Sequence, residues 1–232
     1  MTAVSVIVPC FNTERYLGAA LASVLGQSRQ AAEVVVVDDG STDASAAVAA
    51  GYAPAVRCIA QANAGISAAR NRGVAGTSGA ILAFLDADDL WPADSLARRL
   101  AVLEADARLD GVFGAVEQFV SPEIPASERA QYDVPPGAQP ARLAGALLVR
   151  RRVFNAVGPF DTAVRLGETI DWIARVQDAG YRLAQVDAVV LRRRIHGANS
   201  VLRERHRQSD YLRVLRASIE RRRQAASGEA TE

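Results

Sequence analysis

Short apolar runs alternate with helical spacings through the first third of the chain. Val4-Ser5-Val6-Ile7-Val8 reads as a buried strand ended by Pro9. From Glu14 to about Leu25, Tyr16, Leu17, Leu21 and Val24 recur at the three-to-four spacing of a helix. Four consecutive valines, Val34 to Val37, predict a strand covered on both faces. Asp39-Gly40-Ser41-Thr42-Asp43 is turn chemistry leading into an alanine-rich helix. Val56 to Ile59 is a third strand, Asn63 to Val74 a helix, and Ala80 to Leu85 a fourth strand. This alternation predicts an α/β fold with parallel pairing and right-handed crossovers. Ligands of such sheets bind beyond the carboxyl ends of the strands. The polar groups at Phe11-Asn12, Asp38-Asp39 and Asp86 to Asp89 fall at such ends.

The pattern then changes. A helix near Ala93 to Asp106 and a strand near Val112 to Val120 lead into residues 121–142, which hold five of the nine prolines and read as a long loop. Ala144 to Val149 reads as a strand, Glu168 to Ala179 as a helix, and Arg182 to Ile195 as one or two strands. From about Leu202 the pattern is helical, with Tyr211, Leu212, Leu215 and Ile219 on one side, and the last residues, Ala225 to Glu232, are expected to fray.

Composition narrows the chemistry. The 232 residues carry a formal charge of +1, and every one of the 27 cationic side chains is arginine. The absence of lysine removes a Walker-type phosphate lysine and a Schiff-base lysine. Two histidines, His196 and His206, and two cysteines, Cys10 and Cys58, match no zinc spacing. Any metal is therefore expected to be held mainly by oxygen, which favours Mg2+ or Mn2+. No run has the apolar length of a membrane span, and a cytoplasmic protein is expected, with contact at the inner membrane face left open. Between Arg192 and Arg223 eleven arginines face only Glu204, Asp210 and Glu220, so a basic tail follows a net acidic body. The tail suits packing on the domain, homodimer formation or peripheral membrane contact; nucleic acid is not an expected partner.

Two acidic groups at strand ends, Asp38-Asp39 and Asp86-Ala87-Asp88-Asp89, form the strongest constellation. Like charges gathered at one edge cost stability unless a cation or hydrogen-bond donors answer them. Either group alone fits a capped turn; both together, after parallel strands, point to a metal–nucleotide site.

The stretches VSVIVPCFNTERYLGAALASVLGQ, EVVVVDDGSTD, NAGISAARNRG and ILAFLDADDLWP, followed by GALLVRRRVFNAVGPFD and GETIDW, resemble the family 2 glycosyltransferases. The resemblance covers about Val4 to Asn199. It implies a GT-A fold: a mostly parallel Rossmann-like sheet flanked by helices, here with a basic amphipathic C-terminal helix. Residues 1–200 would be the transferase domain, 1–120 its nucleotide-sugar half and 121–200 its acceptor half, with 201–232 the helix and tail. It further implies a nucleotide-sugar donor, often a UDP-sugar, an acceptor hydroxyl, and Mn2+ or Mg2+. Pro9, Phe11, Asn12 and Glu14 would line the base and ribose pocket. Asp39 would accept from the uracil imide, Arg70 would reach the base or diphosphate, and Asp86 would sit near the ribose. Asp88, with Asp86, would bind the metal.

Relatives commonly carry Glu-Asp where this chain has Glu168-Thr169, and threonine cannot serve as the base. Glu168 and Asp171, three apart on one helix face, are the candidates for deprotonating the acceptor. Asp171 gains interest from Trp172 beside it, which could stack on a sugar or belong to the core, while Asp171 and Arg175 could form an ordinary helical ion pair. In Arg192 to Asn199, Arg194 would hold phosphate bidentately and His196 would be a third metal ligand. Two other readings stay open: a sugar nucleotidyltransferase, and a non-catalytic or impaired nucleotide-sugar-binding protein on the same fold.

Overall fold

The structure is a computed structural model and describes residues 2–197, 199, 216, 218–221 and 223. Four parallel strands open the sheet: β1 (Val4–Cys10), β2 (Glu33–Asp38), β3 (Arg57–Ala60) and β4 (Ile81–Phe84). Helices α1 (Glu14–Leu25), α2 (Ser45–Ala50) and α3 (Ile66–Ala75) join them, in the order the apolar pattern predicts. After α4 (Ser95–Ala105) come β5 (Gly111–Val120), α5 (Ala126–Arg129), β6 (Ala138–Pro140), β7 (Leu148–Arg150), α6 (Arg151–Val157), α7 (Glu168–Asp178) and β8 (Leu183–Ile195). The eight strands form one sheet in the order β3-β2-β1-β4-β7-β5-β6, with β8 also paired to β5. β7 runs antiparallel to both β4 and β5, so the second half of the sheet is mixed.

Several local expectations are corrected. Pro9 does not end β1; it is buried within it, opposite Val37. Ile7 accepts from Leu85 N, so the next ladder step toward β4 falls on Pro9, which has no N–H to give. Pairing with β4 accordingly stops at Ile7 and Phe84. Residues 121–142 contain α5 and β6 rather than a bare loop. Ala144–Ala146 is a single 3-10 turn, and the strand begins only at Leu148.

One apolar cluster, with Ile7, Leu17, Leu82, Phe84, Leu148 and Trp172 among its members, packs the helices on the sheet. α3 lies close on β1 because Gly73 has no side chain: a Cβ there would come 2.3 Å from Ile7 Cγ2. Arg99 is wholly buried and has no acidic partner among the described residues. It donates to Ser95 and Leu147 carbonyls and to Ser95 Oγ, and lies 4.6 Å over Trp91. Burial pushes its pKa down to about 9. Among the described residues no helix is long and apolar enough to cross a membrane.

Candidate functional site

The floor of the site is made where the loops after β1 and β2 are stitched together. Asn12 takes a left-handed conformation (φ 51°), donates its N–H to Ser41 Oγ at 3.0 Å and accepts from Thr42 N at 2.8 Å. Asp43 and Ser45 accept the N–H groups of Glu14 and Thr13 at the start of α1, and Glu14 returns the bond by accepting from Ala44 N at 2.7 Å. The side chains of Asn12 and Glu14 are thus spent on holding this frame. Phe11 is left 48% exposed at its rim.

Asp39 is buried and accepts from Gln61 Nε2 (2.7 Å) and Ala64 N (2.8 Å) on Oδ1 and from Gly65 N (2.8 Å) on Oδ2. It organises the turn into α3, whose cap Gly65 has φ 94°.

Arg70 is engaged as well. Its side chain is 2% exposed and forms a bridge: Nη2 donates to Asp86 Oδ1 at 2.8 Å and Nη1 to Glu168 Oε1 at 2.7 Å. Burial favours the neutral guanidine, but the two carboxylates outweigh it and raise the pKa. The side chain couples the end of β4 to the start of α7. Asp86 remains 35% exposed on its other side. Thr169 Oγ1 donates to Glu168 Oε1 at 3.2 Å, and no protein donor among the described residues reaches Glu168 Oε2.

Asp88 meets the segment that follows β8. His196 Nε2 lies 3.0 Å from Asp88 Oδ2, and Asn199 Nδ2 lies 3.3 Å from the same oxygen. Asp89, buried beneath, accepts from Arg194 N at 2.8 Å. Burial, and then the charges of Asp88 and Asp86, push its pKa well above the usual carboxylate range. Arg194 is partly engaged: Nε donates to the Asp88 carbonyl (2.9 Å) and Nη1 to Ser121 Oγ (3.1 Å), which leaves both Nη2 hydrogens and the second on Nη1.

The three-residue metal set is only partly assembled. Asp88 and His196 are adjacent, whereas Asp86 Oδ1 is committed to Arg70; among the described residues no three acidic, histidine or cysteine side chains form a cation cage. Asp88 supplies one carboxylate, and Mg2+ is commonly held by one or two carboxylates with its shell completed by phosphates and water.

Asp171 faces elsewhere. It pairs with Arg175 (3.0 Å) and with Arg221 of the tail (3.7 Å). Arg221 Nε and Ser218 Oγ also bond Asp178, so the described tail residues, which are helical, dock on α7. Of the predicted tail stripe, Ile219 is exposed, and Tyr211, Leu212 and Leu215 lie outside the described residues. Trp172 is wholly buried against Phe154 and Phe160 and donates Nε1 to the Gly158 carbonyl, so it is core and cannot stack on a sugar.

The sequence reading missed Tyr16, Ser121 and Glu123, which surround Arg194 and His196. Tyr16 was hidden in the apolar stripe of α1 and Glu123 in the proline-rich stretch.

The family model for glycosyl transferase family 2 matches residues 5–157, and the chain belongs to that family. An uncharacterized glycosyltransferase, alr2836, of Nostoc sp. is 44% identical over 105 residues, 44% of this chain and 33% of that protein. Glycosyltransferase AglE of Haloferax volcanii is 33% identical over 201 residues, 81% of this chain and 65% of that protein. The chain spans a third or less of the length of the first curated relatives it matches. Among solved structures, S. aureus TarS superposes with a TM-score of 0.72 at 18% identity, covering 93% of this chain and 39% of that one. The mannosyltransferase PcManGT of Pyrobaculum calidifontis gives 0.69 at 24%, covering 93% and 64%. These likenesses establish the GT-A type α/β fold.

Proposed function

We propose that the chain is an inverting glycosyltransferase that moves a sugar from a nucleotide-sugar donor, a UDP-sugar in the first instance, to an acceptor hydroxyl with the help of Mn2+ or Mg2+. One observation carries the reading: at the mouth of β4, Asp88 is matched to His196 while Asp86 is coupled through Arg70 to Glu168. Membership of the family supports it, as do neighbours solved with UDP, with UDP-GlcNAc, and with GDP-Man and Mn2+.

In this reading Phe11 stacks on the base and the open side of Asp86 takes the ribose. Asp88 and His196 hold the cation, which when bound neutralises charge on the departing diphosphate. Arg70 holds Glu168 in place, with Oε2 open to the acceptor. Glu168 Oε2 takes the hydroxyl proton as that oxygen attacks the anomeric carbon. The new C–O bond forms as the bond to diphosphate breaks on the opposite face, inverting the centre. Asp171 is not the base, because its carboxylate is consumed by Arg175 and Arg221.

Calorimetry with UDP, with and without Mn2+, on the wild type and on Asp88→Ala tests the site. Cation-dependent binding lost in the variant is expected; equal binding in both defeats the cation assignment. A screen of nucleotide sugars, read as released nucleoside diphosphate, identifies the donor, and release of pyrophosphate would mean nucleotidyl transfer instead.

A further inference from the structure

We infer that Tyr16 is a positioning residue whose ring is the platform that holds Arg194 and His196 toward the donor's diphosphate. This rests on the donor-site reading above.

Tyr16 stands on the first turn of α1, outside the apolar core and half-buried. Its ring centroid is 4.6 Å from that of His196, the planes tilted by 40°. Arg194 Cζ lies 5.0 Å from the same ring and 4.9 Å from Phe119, so the guanidinium is held between two aromatic faces. The edges are closed as well. Tyr16 Oη donates to Glu123 Oε1, Ser121 Oγ donates to Glu123 Oε2, and Arg194 Nη1 donates to Ser121 Oγ at 3.1 Å. Tyr16, Glu123, Ser121 and Arg194 thereby form a closed ring of contacts, reinforced by Arg15 Nε 3.6 Å from Glu123.

The physical consequence is preorganisation. A planar guanidinium is attracted to an aromatic face and loses its freedom to swing when two such faces enclose it. His196 is confined between the Tyr16 ring and Asp88. Groups fixed before the ligand arrives do not have to be ordered on binding, so the ring's contribution should fall on donor affinity. Nothing in the hydrophobic core needs this side chain, and the phenol ties it to the stretch after β5, not to the sheet.

The test compares Tyr16→Phe, Tyr16→Leu and Asp88→Ala by UDP calorimetry in Mn2+, together with the kinetic constants for the donor found in the screen. Tyr16→Phe keeps the platform and is expected within about threefold of wild type, whereas Tyr16→Leu is expected to raise the UDP Kd and the donor KM together by about tenfold or more. Turnover at saturating donor should change far less than KM. Binding by Tyr16→Leu as tight as wild type overturns the inference, and so does an equal loss in Tyr16→Phe, which would place the effect on the hydroxyl. Should Tyr16→Leu fail to fold, Tyr16→Met is read in its place; if neither folds, the ring is a core element and the inference fails. Asp88→Ala separates the two levels. If it binds UDP and Mn2+ normally, the donor-site reading fails; if it loses binding while Tyr16→Leu does not, only the platform fails.

Discussion

Arg70 donates to Glu168 at 2.7 Å across 98 positions of sequence. The same guanidinium reaches Asp86, so a helix in the first half of the chain ties a strand end to the helix that carries the proposed base. A buried cation between two carboxylates fixes the position of both. Thr169 has no carboxylate, and the neighbouring Glu168 is held in place by Arg70.

Removing that cation should be costly. Arg70→Met leaves two acids facing each other with no counter-charge, and such broken buried pairs typically cost about 3–5 kcal/mol. The lower end is expected, since Asp86 still touches water. Urea denaturation checks the loss of stability, and turnover should vanish with it. Arg70→Lys keeps the charge but cannot span both carboxylates, so it should fall between wild type and Arg70→Met.

Glu123 gives a pH signature. Burial raises its pKa, but hydrogen bonds from Ser121 and Tyr16 and the charge of Arg15 prevail and hold it at about 2. The folded value lies below the unfolded one, about 4.3, so this carboxylate adds stability that is complete above that value and is lost as pH falls through the folded pKa. Glu123→Gln should therefore unfold at lower urea than wild type at neutral pH. The gap between the two midpoints should begin to narrow near pH 4 and nearly close only below about pH 2.

Gly73→Ala tests the approach of α3 to β1. Alanine favours a helix over glycine by about 1 kcal/mol. Here the added methyl would meet Ile7 at 2.3 Å, and overpacking costs about 1–3 kcal/mol. Net destabilisation is expected, measured by thermal denaturation. In an Ile7→Ala background, which lacks the clashing Cγ2, the same Gly73→Ala change should cost less than it does in the wild type.

The parallel half of the fold was legible because its signals are local: four valines in a row, turn residues after strands, and helical spacing in α1. The aspartates at strand ends were legible for the same reason. The roles of Asp39 and Arg70 were not. Each depends on partners far along the chain, Gln61 to Gly65 for Asp39 and Glu168 for Arg70, and no periodicity encodes such pairings. α6 escaped notice because Arg151-Arg152 precede only two strongly apolar positions before Asn155, too short a stripe to read as a helix. Trp172 looked available beside an acidic residue, yet one side of α7 is core and only packing against Phe154 and Phe160 reveals which.

The two acids of α7 should separate cleanly. Glu168→Gln retains an oxygen to accept from Arg70 but cannot take a proton, so UDP affinity should stay within about threefold while turnover falls by roughly 10²–10⁴, the usual contribution of a general base. Asp171→Asn removes the charge that faces Arg175 and Arg221, but each arginine keeps other partners: carbonyls of Val157 and Pro159 for the first, Asp178 for the second. The expected cost is about 1–2 kcal/mol of stability with turnover nearly preserved. A loss of turnover in Asp171→Asn, with normal activity in Glu168→Gln, would move the base from the first turn of α7 to the residue that the structure gives to the tail.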